Sequence, residues 1–195
     1  MCIKTYTPSL EVINVACLVG LFIERFTVFY PYNLLFDPID MSKIYIVCIE
    51  DENEVRDAIV KDIEVLETKF PIEATASAEE ALELIGSIYD EGNEVGLILC
   101  DHVLPGIQGV ELLIELAQNP ETAYAKKVLI TGQAGHQDTI RAINEADIDY
   151  YISKPWSKDQ LLSVCKRELT EYVIDTEKNL VDFLGVLSPG GSSGA

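Results

Sequence analysis

Five short apolar runs rich in β-branched residues alternate with stretches of helical periodicity, and this rhythm restricts the chain more than any other feature. The runs are Lys43–Ile49 (KIYIVCI), Pro71–Ala76, Val95–Cys100 (VGLILC), Lys127–Ile130 (KVLI) and Asp149–Ile152. They start roughly 22 to 32 residues apart, which leaves room for a crossover helix between successive parallel strands. VGLILC has no polar alternation, as a strand buried on both faces requires. Between the runs, Val55, Ile59, Ile63 and Leu66 recur at helical spacing within Asn53–Thr68. Ser77-Ala-Glu-Glu80 and Ser157-Lys-Asp-Gln160 are capping boxes. They open helices predicted to run through Ile88 and to about Tyr172, and Gly109–Gln118 and Gln137–Glu145 complete the set. The pattern predicts an α/β fold, a doubly wound five-stranded parallel sheet covered by five helices.

Composition narrows the class further. The 195 residues suffice for one domain of ordinary size, and 48% apolar with 24% charged residues excludes general disorder. Acidic side chains number 33 against 14 basic ones, a formal charge of −19, so binding to nucleic acid or to an anionic membrane is disfavoured. Cys2, Cys17, Cys48, Cys100 and Cys165 are odd in number and lack C-x-x-C spacing, which argues against a disulfide framework or a zinc site. Buried free thiols in a reducing, cytoplasmic compartment are the expectation. His102 and His136 are the only histidines, too few for a histidine-rich metal site.

The ends of the chain differ from its middle. Val12–Ile23 is apolar apart from Asn14 but stops at Glu24, short of the ~18 residues a membrane span needs. Met41-Ser-Lys, followed at once by the first β-type run, has the look of a natural start. Two readings of residues 1–41 stand side by side: an extension from an upstream start codon, outside the native product, or a genuine N-terminal helix. Residues 42–173 are expected to form the domain. Residues 174–195 form a C-terminal extension with an apolar patch, Leu180–Leu187, and a disordered tail of linker composition.

In an open parallel α/β sheet, chemistry collects beyond the carboxyl ends of the strands, at the switch point. Glu50, Asp51 and Glu52 follow the first strand, Asp101 the third, Thr131 and Gly132 the fourth, and Ser153, Lys154 and Pro155 the fifth. In the common flavodoxin-like order 2-1-3-4-5, the first and third strands are neighbours, so their carboxylates converge. Crowded carboxylates need a cation, and hard oxygen ligands suit Mg²⁺. A lysine and a threonine hydroxyl beside them suit a phosphoryl group, and a carboxylate can itself be its acceptor. Glu52 reads instead as a solvated charge at a helix start.

Glu50-Asp51, the Asp-x-x-x-Pro-x-x-x-Gly run from Asp101 (DHVLPGIQG), Thr131-Gly132 and Lys154-Pro155 together resemble the receiver domain of two-component response regulators, of the stand-alone, chemotaxis-regulator-like kind. The resemblance covers about Ser42 to Tyr172. It implies that Asp101 accepts a phosphoryl group from a sensor histidine kinase. It implies Mg²⁺ bound by Glu50, Asp51, Asp101 and the backbone carbonyl of Val103. Lys154 would contact the acyl phosphate, with a cis peptide to Pro155, and Thr131 and Tyr151 would form the switch. Glu50 stands where aspartate is also common in the family. Such a domain is not an enzyme acting on a free substrate. An aspartate-based phosphohydrolase would need a second aspartate two residues after the first, where this chain has Val103.

After the last predicted helix too few residues follow for a DNA-binding or catalytic output domain, so signalling to a downstream protein by contact is expected. That contact would use the helix over 137–145, the fifth strand and the helix after it. Two alternatives remain: a phosphorelay intermediate passing the group to a histidine phosphotransfer protein, and a binding module independent of phosphorylation.

Overall fold

Strands too apolar to face water on either side must be covered twice, and the chain satisfies this with helices on both faces of one sheet. A computed structural model describes residues 42–132 and 147–187. Within them lie β1 (Ile44–Ile49), α1 (Asn53–Ile63), β2 (Ile72–Thr75), α2 (Ala78–Asp90), β3 (Glu94–Asp101), α3 (Gly109–Gln118), β4 (Lys126–Thr131), β5 (Tyr150–Ser153) and α4 (Lys158–Asp175). All strand pairs are parallel and the order is β2-β1-β3-β4-β5, as expected. The predicted helix over 137–145 lies outside the described residues, as do residues 1–41 and the tail from 188.

Two apolar layers result. Ile46, Cys48, Leu97, Leu99, Val128, Ile130 and Ile152 pack toward α1 and α4, against Ile59, Ile63, Leu161 and Leu169. Val47, Ile49, Ile98, Cys100 and Leu129 pack toward α2 and α3, against Ala81, Ile85, Leu112 and Leu116. Alternation slips once in β3: Tyr45 pairs with Val95 and Ile46 with Leu97, leaving Gly96 as the extra residue of a bulge. A Cβ at Gly96 would lie 2.4 Å from Ile44 Cγ2, so the close approach there requires glycine. Cys48, Cys100 and Cys165 are buried and free. Burial, with Glu50 nearby, pushes the Cys48 thiol up to about 12, so it stays protonated at neutral pH.

The predicted capping works locally. Ser77 Oγ accepts from the Glu80 N–H at 3.2 Å, while Glu80 reaches back to the N–H of Ala76 at 2.9 Å, one residue earlier than the cap itself. At the start of α4, Ser157 Oγ likewise accepts the Gln160 N–H, at 3.2 Å. The first predicted helix, Asn53–Thr68, ends earlier than its periodicity suggests. After Ile63 it tightens into a 3₁₀ turn over Glu64–Leu66, which delivers Leu66 and Phe70 to the core.

Beyond α4 the chain folds back. A 3₁₀ turn over Leu180–Phe183 stacks Phe183 on Phe70, with ring centroids 5.2 Å apart. Leu187 is buried against the same layer. Glu94, at the start of β3, takes the Tyr172 hydroxyl at 2.6 Å and the Lys178 ammonium at 2.9 Å. Leu180, Phe183, Val186 and Leu187 of the apolar patch thus pack on the end of the sheet opposite the acidic strand ends, while Val181 and Leu184 stay exposed. Phe183→Ala should lower stability by about 1–3 kcal/mol in urea unfolding. A loss of less than about 0.5 kcal/mol, as for a solvated linker residue, would refute this packing.

Candidate functional site

Adjacent parallel strands end side by side, and here the ends of β1 and β3 place three carboxylates together. Glu50 and Asp51 follow β1 and Asp101 closes β3. One oxygen from each lies within 4.8 Å of the others. Glu50 and Asp101 are buried and Asp51 is exposed. Asp101 Oδ1 accepts the backbone N–H of His102 at 2.7 Å. Its carbonyl is crowded by α3, because a Cβ on Gly109 would lie 1.8 Å from Asp101 O. That contact explains the spacing of the Asp101…Gly109 run: only glycine lets the helix start so close to the strand end.

Lys154, just past β5, supplies the countercharge. Its Nζ lies 2.7 Å from Glu50 Oε2 and 2.9 Å from Asp101 Oδ2. Burial works against the ammonium, but the two carboxylates outweigh it and hold its pKa above the ordinary lysine value. For Glu50, burial dominates and raises the carboxyl pKa; the Lys154 ammonium pulls it back only in part. With all three carboxylates ionised, one lysine leaves the cluster at −2, a charge suited to a divalent cation.

Thr131 ends β4 and is buried. Its carbonyl accepts the Lys154 N–H at 3.0 Å and the Tyr151 hydroxyl at 3.3 Å, so threonine, tyrosine and lysine share one corner. The Lys154–Pro155 peptide is cis, as the resemblance implied. Val103, two residues beyond Asp101, is exposed. Glu52 is the exposed N-cap residue of α1, in keeping with its reading as a helix-start charge, though its N–H also points at Glu50 Oε1 at 3.4 Å.

One contributor went unread in the sequence. Arg56 Nη1 donates to the Glu50 carbonyl at 2.6 Å and Nη2 to Asn53 Oδ1 at 2.5 Å, clamping α1 to the end of β1. An arginine one turn into an amphipathic helix carries no signal of this kind, because its partner is a backbone atom beyond the helix.

A five-stranded parallel sheet in the order β2-β1-β3-β4-β5, with an acidic triad, a lysine and a threonine at its carboxyl edge, is a flavodoxin-like α/β fold with its polar groups gathered at the switch point. The family model of the response regulator receiver domain matches residues 46–166, and the chain belongs to that family. A hydrogenase transcriptional regulatory protein, HoxA, of Cupriavidus necator is 30% identical over 138 residues, covering 70% of this chain and 26% of the relative. Response regulator ArlR of Staphylococcus saprophyticus is 28% identical over 148 residues, 75% of this chain and 60% of that protein. The chain thus spans about a quarter of the first relative and 60% of the second. Among solved structures, a CheY-like response regulator receiver domain protein from Methanospirillum hungatei is 28% identical, with a TM-score of 0.59 over 69% of this chain and 99% of that one. The signal receiver domain of an HD domain-containing protein from Pseudomonas fluorescens has the same fold, with a TM-score of 0.62 at 24% identity over 70% and 94% of the two chains.

The raised Glu50 pKa has a consequence for stability. A carboxyl raised in the folded state favours folding below its ordinary pKa, and that contribution disappears as pH climbs through the raised value. At neutral pH without divalent cations, Glu50→Gln should therefore raise the urea midpoint relative to wild type. A lower midpoint in chelator would show that the ion pair to Lys154 outweighs the burial of the charge.

Proposed function

We propose that this domain accepts a phosphoryl group on Asp101 from the phosphohistidine of a sensor histidine kinase and signals the event through a protein-contact surface. The observation that carries the reading is the Asp101 carboxylate, buried at the end of β3, within 4.8 Å of Glu50 and Asp51 oxygens and 2.9 Å from the Lys154 ammonium. An Asp101 oxygen attacks phosphorus, the P–N bond to the donor imidazole breaks, and the imidazole takes up a proton. The donor set is all oxygen with an uncompensated negative charge, which fits Mg²⁺. Glu50, Asp51 and Asp101 would hold the ion, with the Val103 carbonyl as a further oxygen. An ion held there would supply positive charge against the phosphoryl oxygens.

The chain's own residues do the rest. Lys154 transfers its contact from the bare carboxylates to a phosphoryl oxygen, a point charge for a dianion. The Thr131 hydroxyl closes on another oxygen, and Tyr151, tied to the Thr131 carbonyl, follows that movement. A local change of charge thereby biases a two-state element, and the altered surface is what a downstream protein reads. The strongly acidic composition favours a protein target over nucleic acid.

Acetyl phosphate with Mg²⁺ should label the wild-type chain and leave Asp101→Asn unlabelled, by intact mass or phosphate-affinity gel. Omission of Mg²⁺ or Glu50→Gln should slow the labelling by at least ~10². Labelling that survives Asp101→Asn removes the reading.

A further inference from the structure

Trp156, the chain's only tryptophan, lies two residues beyond Lys154 and holds its loop to a helix remote in sequence. Its indole N–H donates to Asp62 Oδ2 of α1 at 3.1 Å, across 94 residues. The ring is half-buried against the α1/α4 layer, whose members include Leu161. With Ser157 as N-cap, Trp156 occupies the position before the cap and Leu161 the fourth of the helix, the pair that forms a hydrophobic staple and sets the angle at which a chain enters a helix. On its other side Lys154 is anchored by its own N–H to the Thr131 carbonyl at 3.0 Å. The lysine therefore projects from a short segment fixed at both ends, on β4 and on α1. The same helix grips the end of β1 through Arg56 and the Glu50 carbonyl.

We propose that Trp156 is a positioning residue: its hydrogen bond to Asp62 aims the Lys154 ammonium at the Glu50–Asp101 pair. Through it the reactivity of Asp101 is coupled to α1. The inference deepens the phosphoacceptor reading and, for its effect on labelling, rests on it. A lysine side chain has several rotatable bonds and rotamer entropy to lose, so a backbone that delivers it in the correct direction keeps more of its electrostatic contact. A tryptophan retained only as apolar cover would be matched by phenylalanine. The indole N–H aimed at a carboxylate distinguishes the two.

The full chain is tested. Trp156→Phe and Asp62→Ala should each slow labelling by acetyl phosphate about three- to ten-fold, the double variant no more than the slower single one. Asp62→Asn, which keeps an accepting oxygen, should recover most of the rate. In a Lys154→Ala background, adding Trp156→Phe should change the rate by less than about two-fold, and affinity for Mg²⁺ alone should stay within the same limit. A slowing in that background as large as in wild type would mean general loosening and would overturn the proposal. A second readout needs no phosphoryl chemistry: the ¹⁵N resonance of Lys154 Nζ should move or broaden in Trp156→Phe. If acetyl phosphate fails to label even the wild type, the phosphoacceptor reading falls and the Nζ resonance alone decides. An unchanged resonance overturns the positioning role in either case.

Discussion

Buried carboxylates cannot share one corner without a cation, and the architecture of this domain is arranged around that constraint. Parallel pairing of β1 with β3 forces Glu50, Asp51 and Asp101 together, and Lys154 answers them from the far side of β4. The single lysine divides its charge between two carboxylates and leaves the third exposed, so the corner is held but not neutralised. Burial raises the Glu50 pKa despite that partner, so the ionised carboxylate is held there at a cost in stability. On the function proposed above, a divalent cation or a phosphoryl dianion would change this balance and so bias a two-state element.

The frame that holds the corner is stiff for ordinary reasons. Both faces of the sheet are packed, by two independent apolar layers, so the strand ends have little freedom to separate. Helix α3 is seated directly on the Asp101 carbonyl through Gly109, and α1 is seated on the Glu50 carbonyl through Arg56. Trp156 adds a third tie, from the Lys154 loop to the same α1. Helix α1 thus touches both sides of the ion pair, while the turn after α4 closes the opposite end of the sheet through Phe183 and Phe70.

Most of the fold was legible because it is written in contiguous residues. Strand runs, helical periodicity and two serine caps are local properties, and the five strands and the four described helices stand where those patterns put them, with ends displaced by a few residues. Differences arise where packing outweighs periodicity. Helix α1 stops at Ile63 because a 3₁₀ turn seats Leu66 and Phe70 better than a continued helix, and β3 takes in Gly96 as a bulge that no alternation pattern reveals. Likewise α4 continues to Asp175, three residues past its predicted end, because its last turn leads into chain that packs.

The sequence by itself determined the fold class, the list of groups at the strand ends and, through four short motifs in order, the receiver resemblance. Each of these depends only on residue type and position along a strand or helix. The tertiary structure alone decided which atoms meet: Lys154 with Glu50 across 104 residues, Trp156 with Asp62 across 94, Arg56 with a backbone carbonyl, Lys178 with Glu94. Those contacts are set by crossing angles and loop directions, which follow from the packing of whole layers and are encoded in no single segment.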